Sequence, residues 1–141
     1  MGVILGRFRA FAVALVLLYP VVSAGAGERP CGSREPIASV FELGPVLYSC
    51  WKPPPGTENL EITLRFALRR DGSMIGNPRA SYAKLGQDMP LKRAFVASVL
   101  EALYQNLPLP ITDDFGGAIA GRPITLLFST AAESTTADAA L

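Results

Sequence analysis

The sequence predicts an α+β domain in which helices pack on a three-stranded antiparallel sheet, in the order helix–strand–strand–helix–strand. Three observations carry that prediction. Residues 60–69 alternate without a miss, with Leu60, Ile62, Leu64, Phe66 and Leu68 apolar and Glu61, Thr63, Arg65 and Arg69 polar. "RRDGS" follows at once, and Asp71-Gly72 is a strong hairpin signal. Residues 91–103 then switch to a helical period, with Leu91, Phe95, Val99 and Leu103 four apart.

The first residues stand apart from that domain. Arg7 and Arg9 precede an uncharged run, Ala10–Val22, and then the small residues "SAGAG". This is the layout of a secretory signal peptide. Cleavage after Ala24 fits, and cleavage after Ala26 fits nearly as well. The rival is a retained membrane anchor, for which the run is short and interrupted by Pro20. The expected organisation is a signal at 1–24, a polar leader at 25–35, the domain at 36–130 and a small, polar, disordered tail at 131–141. The expected location is the periplasm, or the inner membrane if the anchor stays. Without Arg7 and Arg9 the chain keeps 11 basic residues against 12 acidic, so nothing basic remains to attract nucleic acid.

Export sets how the cysteines read. Cys31 and Cys50 are the only two, and an oxidising compartment favours a bond between them. A free buried thiol and an intermolecular bridge are the alternatives.

The first helix is expected from "SREPIASVFEL", with Ser33 as cap, Pro36 in the first turn, and Ile37, Val40 and Phe41 on one face. Gly44-Pro45 interrupts it, and a second short turn ends at Trp51. Pro53, Pro54 and Pro55 make a stiff extended segment with Gly56 as its swivel. Trp51, Pro53 and Pro54 therefore read as the structural entrance to strand one. Strand two, "SMIGNPRASY", contains Pro78, which lacks a donor and places the strand at a sheet edge. Strand one is then central. The second helix opens at Asp88 as cap with Pro90 in the first turn, and Pro108 and Pro110 end it. "ITDDFGGAIAGR" reads as a loop. Strand three, "PITLLFST", turns Ile124, Leu126 and Phe128 to one face.

Catalytic constellations are scarce. The chain has no histidine, which excludes Ser-His-Asp and Cys-His sites. Zinc lacks a ligand set at usual spacing. Asp113-Asp114 reads as a solvated turn, Gly116-Gly117 and Gly121 lack the strand–helix context of a phosphate loop, and Cys50 has no activating base. No catalytic residue, metal, cofactor or small-molecule substrate is expected. What the sheet offers instead is an edge. Strand three has no charge from Ile124 to Thr130, and beside strand one its far side would present free backbone groups to an extended peptide. Coverage of that edge by the tail or by a dimer partner is the competing possibility, and the oligomeric state is left open.

"CW-PP", an alternating strand, "DG", "G-x-P", an Ala-containing helix ending in "LPLP" and a short last strand together resemble the C-terminal periplasmic domain of TolA and TonB proteins, TolA-type more than TonB. The resemblance spans about residues 36–130. It implies a non-enzymatic module of cell-envelope integrity or outer-membrane transport. Its partners would be periplasmic or outer-membrane proteins whose peptide segments add at Ile124, Thr125, Leu126, Leu127 and Phe128. In some TolA-like domains a cysteine near the end of the second helix pairs with the one before the tryptophan. Here "YQNLPLP" has none, and Cys31 is the substitute. No Ala/Lys-rich or Pro-rich spacer is legible, so a periplasmic accessory, a competitor for the same partners or a subunit diverged to other targets is expected rather than a force-transmitting protein.

Overall fold

The computed structural model describes residues 29–131. The expected signal peptide and nearly all of the expected tail lie outside them. The elements are α1 (Val40–Ser49), β1 (Glu61–Leu68), β2 (Met74–Lys84), α2 (Met89–Gln105), α3 (Asp113–Ile119) and β3 (Pro123–Ser129). The sheet order is β2-β1-β3, and both pairings are antiparallel. The architecture is the expected α+β one, with one more helix.

β1 is the centre because it alone carries an unbroken apolar face. Ile62, Leu64, Phe66 and Leu68 are all buried. Against them pack Phe95, Val99, Ala102 and Leu103 of α2, Leu43, Val46 and Leu47 of α1, and Phe128 of β3. Full burial of such side chains stabilises by about 1.5–3 kcal/mol each. α2 begins as expected, with the Asp88 carboxylate accepting from the Leu91 N–H at 3.0 Å and proline in the first turn. β2 is the other edge strand. Gly76, Asn77 and Pro78 lie opposite the single residue Phe66, between the pairs Arg65/Arg79 and Ala67/Ile75. The missing donor of Pro78 thus falls where pairing is already broken.

The hairpin turn is tight. Arg69 N–H donates to Ser73 C=O at 2.7 Å and Gly72 N–H to Arg69 C=O at 3.0 Å. Gly72 sits at φ +83°, and a Cβ there would lie 2.0 Å from the Leu109 carbonyl oxygen. Only glycine fits, since it tolerates both the dihedral and the approach. Leu109 N–H returns a bond to Gly72 C=O at 3.0 Å.

Two expectations about the helices are corrected. α1 starts at Val40, after Ser39, not at Ser33, and it runs through Gly44-Pro45 without a break. Ile37 is drawn into a parallel bridge with Ile111 instead, its N–H donating to Pro110 C=O at 2.6 Å and its C=O accepting from Thr112 N–H at 3.0 Å. That tertiary pairing outweighs the local cap signal of Ser33. It also rotates the helix, so Val40 and Phe41 leave the core and Phe41 is 87% exposed. Pro45 cannot donate to Phe41 C=O, so the helix passes through it at the cost of one intrahelical bond.

The second correction is the Gly-rich loop, which holds helix α3. Thr112 caps it by accepting from Phe115 N–H at 3.3 Å, and Asp113 and Asp114 occupy its first turn, where negative charge suits the helix dipole. Gly116 is buried against the β1–β2 turn: a Cβ there would stand 2.2 Å from the Arg70 carbonyl oxygen.

Cys31 and Cys50 form a disulfide, with Cα atoms 4.7 Å apart. Residues 29–31, within the expected polar leader, are held by it and by Arg29, which pairs with Glu42 and donates to Glu35 C=O at 3.1 Å. Among the described residues no helix is long and apolar enough to cross a membrane.

Candidate functional site

The site-bearing expectation concerned the outer edge of β3. Thr130 N–H donates to Leu60 C=O at 3.0 Å. In an antiparallel ladder the bonded pairs alternate. With the observed register, Ile62/Phe128, Leu64/Leu126 and Phe66/Ile124 face each other as bonded pairs. Thr125, Leu127 and Ser129 therefore turn their backbone N–H and C=O groups away from β1, toward an edge that pairs with no other strand among the described residues. Side chains follow the same alternation. Ile124 and Phe128 are buried, Leu126 is half-buried, and Leu127 is 45% exposed on the opposite face.

One of those outward groups is occupied. The Tyr48 hydroxyl of α1 donates to Leu127 C=O. Burial pushes the Tyr48 phenol above its usual range, so it stays a protonated donor. Its ring meets Phe128 edge-on at 5.3 Å, and Gly44, one turn earlier, lies close to Leu126. α1 thus runs over β3 in the same direction, 44 near 126 and 48 near 127–128.

Helical spacing then places Phe41 on the Tyr48 flank, since residues seven apart share a side. Phe41, Pro45 and Tyr48 are all exposed and share that flank, and Tyr48 brings it to the β3 edge at Leu127. An open groove of about 620 Å³ continues along this flank, lined by Arg29, Pro30, Cys31, Pro45, Tyr48 and Ser49. The arrangement is a strand edge with outward backbone groups beneath an apolar helix flank.

The structural residues fall as follows. Trp51 donates from Nε1 to Ser98 Oγ at 3.1 Å and meets Phe95 and Phe128 edge-on at 5.9 and 5.2 Å. It joins α1, α2 and β3 behind the edge. Pro54 C=O accepts from the buried Thr57 hydroxyl, and Thr57 C=O accepts from the Thr130 hydroxyl at the end of β3. The stretch Pro53–Gly56 is therefore anchored to both sheet and core. Cys31, Cys50, Trp51, Pro53, Pro54, Asp71 and Gly72 are framework. Of these, Cys31 lines the groove beside Tyr48.

Phe41, Tyr48 and Gly44 were missed as edge neighbours. Their signal was present as an aromatic–small–aromatic spacing of 41, 44 and 48, legible once the helix is known to pass through Pro45. A second apolar groove, of about 400 Å³, lies on α2 along Met89, Val96, Ala97 and Leu100, with Lys92 and Arg93 at its rim. These residues occupy the flank of α2 away from Ser98, and so away from Trp51 and α1.

A family model described as "Uncharacterised conserved protein UCP034077" matches residues 33–132. The chain belongs to that family. No curated protein and no solved structure matches it. The finding corrects the TolA/TonB resemblance, because the family whose model covers the domain is a different one. The motifs behind that resemblance are local answers to local needs: a glycine for a φ +83° turn, prolines before an anchored strand, and a proline at a bulge. Unrelated sheets meet those needs with the same residues.

Proposed function

We propose that this domain is a non-enzymatic interaction module that recognises an extended peptide segment by strand addition along β3. One observation carries the reading. Phe41 is 87% exposed on α1, and helical spacing sets it on the same flank as Tyr48, whose hydroxyl reaches the outward Leu127 C=O. A large exposed aromatic beside an open strand edge suits a partner that supplies both a strand and apolar side chains. Backbone bonds would give affinity, and the Phe41–Pro45–Tyr48 flank would select what lies over Leu126. The disulfide supports placement in an oxidising compartment. With the N-terminal pattern read above, that makes the periplasm the proposed site of action and exported envelope proteins the proposed partners.

The test is photo-crosslinking in cells from position 127 and, separately, from position 96 in the α2 groove. Adducts from 127 alone support the edge. Adducts from 96 alone move the binding surface to α2 and overturn the proposal.

A further inference from the structure

Among the described residues the helices pack on one side of the sheet, and its other face is open. Register arranges that face in cross-strand rows: Lys84–Glu61–Ser129, Tyr82–Thr63–Leu127, Arg79–Arg65–Thr125 and Ile75–Ala67–Pro123. In the first row Lys84 stands opposite Glu61, of opposite charge. In the third, two guanidinium side chains stand directly opposite each other, both exposed. Like charges in that relation destabilise a sheet. Among the described residues the ion pairs are those of Arg29 with Glu35 and Glu42, and no hydrogen bond satisfies Arg65 or Arg79. The open face thus carries an unpaired positive couple in its third row, and the next position in that row is the small Thr125, on the β3 edge.

We propose that the segment added at β3 is acidic, with an aspartate or glutamate on its outward side facing Thr125, held by the guanidinium of Arg65 with Arg79 behind it. This rests on the edge-strand reading. A strand added beside β3 lies two strand spacings from β1, about 10 Å. An extended arginine lying over threonine and a carboxylate reaching back together cover that distance. The guanidinium fork suits a carboxylate, and binding one relieves the repulsion between the arginines. In the neighbouring row the same segment would place an apolar residue beside Leu127.

The experiment is fluorescence polarisation of the oxidised protein with labelled nine-residue peptides of alternating valine and threonine. A single aspartate, or asparagine as its neutral match, is walked through each position. The expected result is a preference of about fivefold for aspartate at alternate positions, the worth of an exposed ion pair. It should fade in high salt and vanish in Arg65→Gln, whose fold is checked by circular dichroism. Equal binding of aspartate and asparagine peptides at every position overturns the acidic specificity while leaving the edge reading intact, and so does an aspartate preference undiminished in Arg65→Gln. A folded Leu127→Pro protein that binds every peptide like the wild type overturns the edge reading, and this proposal with it. Absence of binding by any peptide does the same.

Discussion

At the scale of single residues, close approaches decide more than composition does. Gly72→Ala meets both a φ of +83° and a carbonyl oxygen at 2.0 Å. It should cost about 2–3 kcal/mol, read as a lowered urea midpoint with unchanged slope. Asp71 shows the electrostatic side of the same turn. Its carboxylate accepts from the Ser73 hydroxyl and then from the Ser73 N–H, which holds its pKa below the ordinary 3.8. A depressed folded-state value means stabilisation that is present above 3.8 and lost as the pH falls through the lower folded value. The melting-temperature gap between wild type and Asp71→Asn should therefore be widest near neutrality and close in strong acid. A gap that widens in acid would contradict this. Tyr48 is the residue whose loss should have opposite effects on folding and binding. Tyr48→Phe removes the hydroxyl from Leu127 C=O, costs about 1 kcal/mol of stability, and frees that acceptor for a peptide N–H. Titration with an edge-binding peptide should show tighter binding than in the wild type.

At the scale of elements, β1, β2 and α2 behave as their periodicity and caps require. α1 and α3 do not, and both for tertiary reasons. Ser33 and Pro36 look like a helix start, but Ile37 gains two backbone bonds with Pro110 and Thr112 and a fully buried side chain by staying extended. Two glycines and an Asp-Asp pair look like a loop, but Gly116 is the contact that lets α3 sit on Arg70 C=O. The reassignment of α1 makes the candidate site, because it carries Phe41 out of the core. Phe41→Ser should then change stability by no more than about 0.5 kcal/mol while weakening edge binding several-fold. A large loss of stability instead would show Phe41 to be structural. The Leu127 N–H points away from β1, so Leu127→Pro should leave the β1–β3 ladder intact and remove one outward donor.

At the scale of the whole molecule, the described chain is one core closed by one covalent bond. The disulfide joins the segment before α1 to its C-terminal end, across a separation of 19 residues. Constraint of the unfolded chain over such a loop is worth about 3 kcal/mol. Reduction, or Cys31→Ser with Cys50→Ser, should lower unfolding free energy by about that amount in denaturant titration. Because Arg29 and Cys31 line the groove beside Tyr48, reduction should also loosen the flank of the proposed site. A reduced protein of unchanged stability would show that the remaining packing already restrains this segment.

The sequence by itself determined the central strand, the hairpin, the edge position of β2, the second helix and the pair of cysteines available to bond. Each rests on information local to a few residues: a period of two, an Asp-Gly turn, a proline without a donor, an Asp88 cap, a count of two. Only the tertiary structure decided where α1 begins, that residues 113–119 are helical, which backbone groups of β3 face outward, and that Arg65 stands opposite Arg79. Those depend on partners 14 to 79 residues away in the chain, as Ile37 with Ile111, Arg65 with Arg79 and Tyr48 with Leu127. Periodicity along a strand shows which side chains share a face. It does not contain the register that sets them against their neighbours.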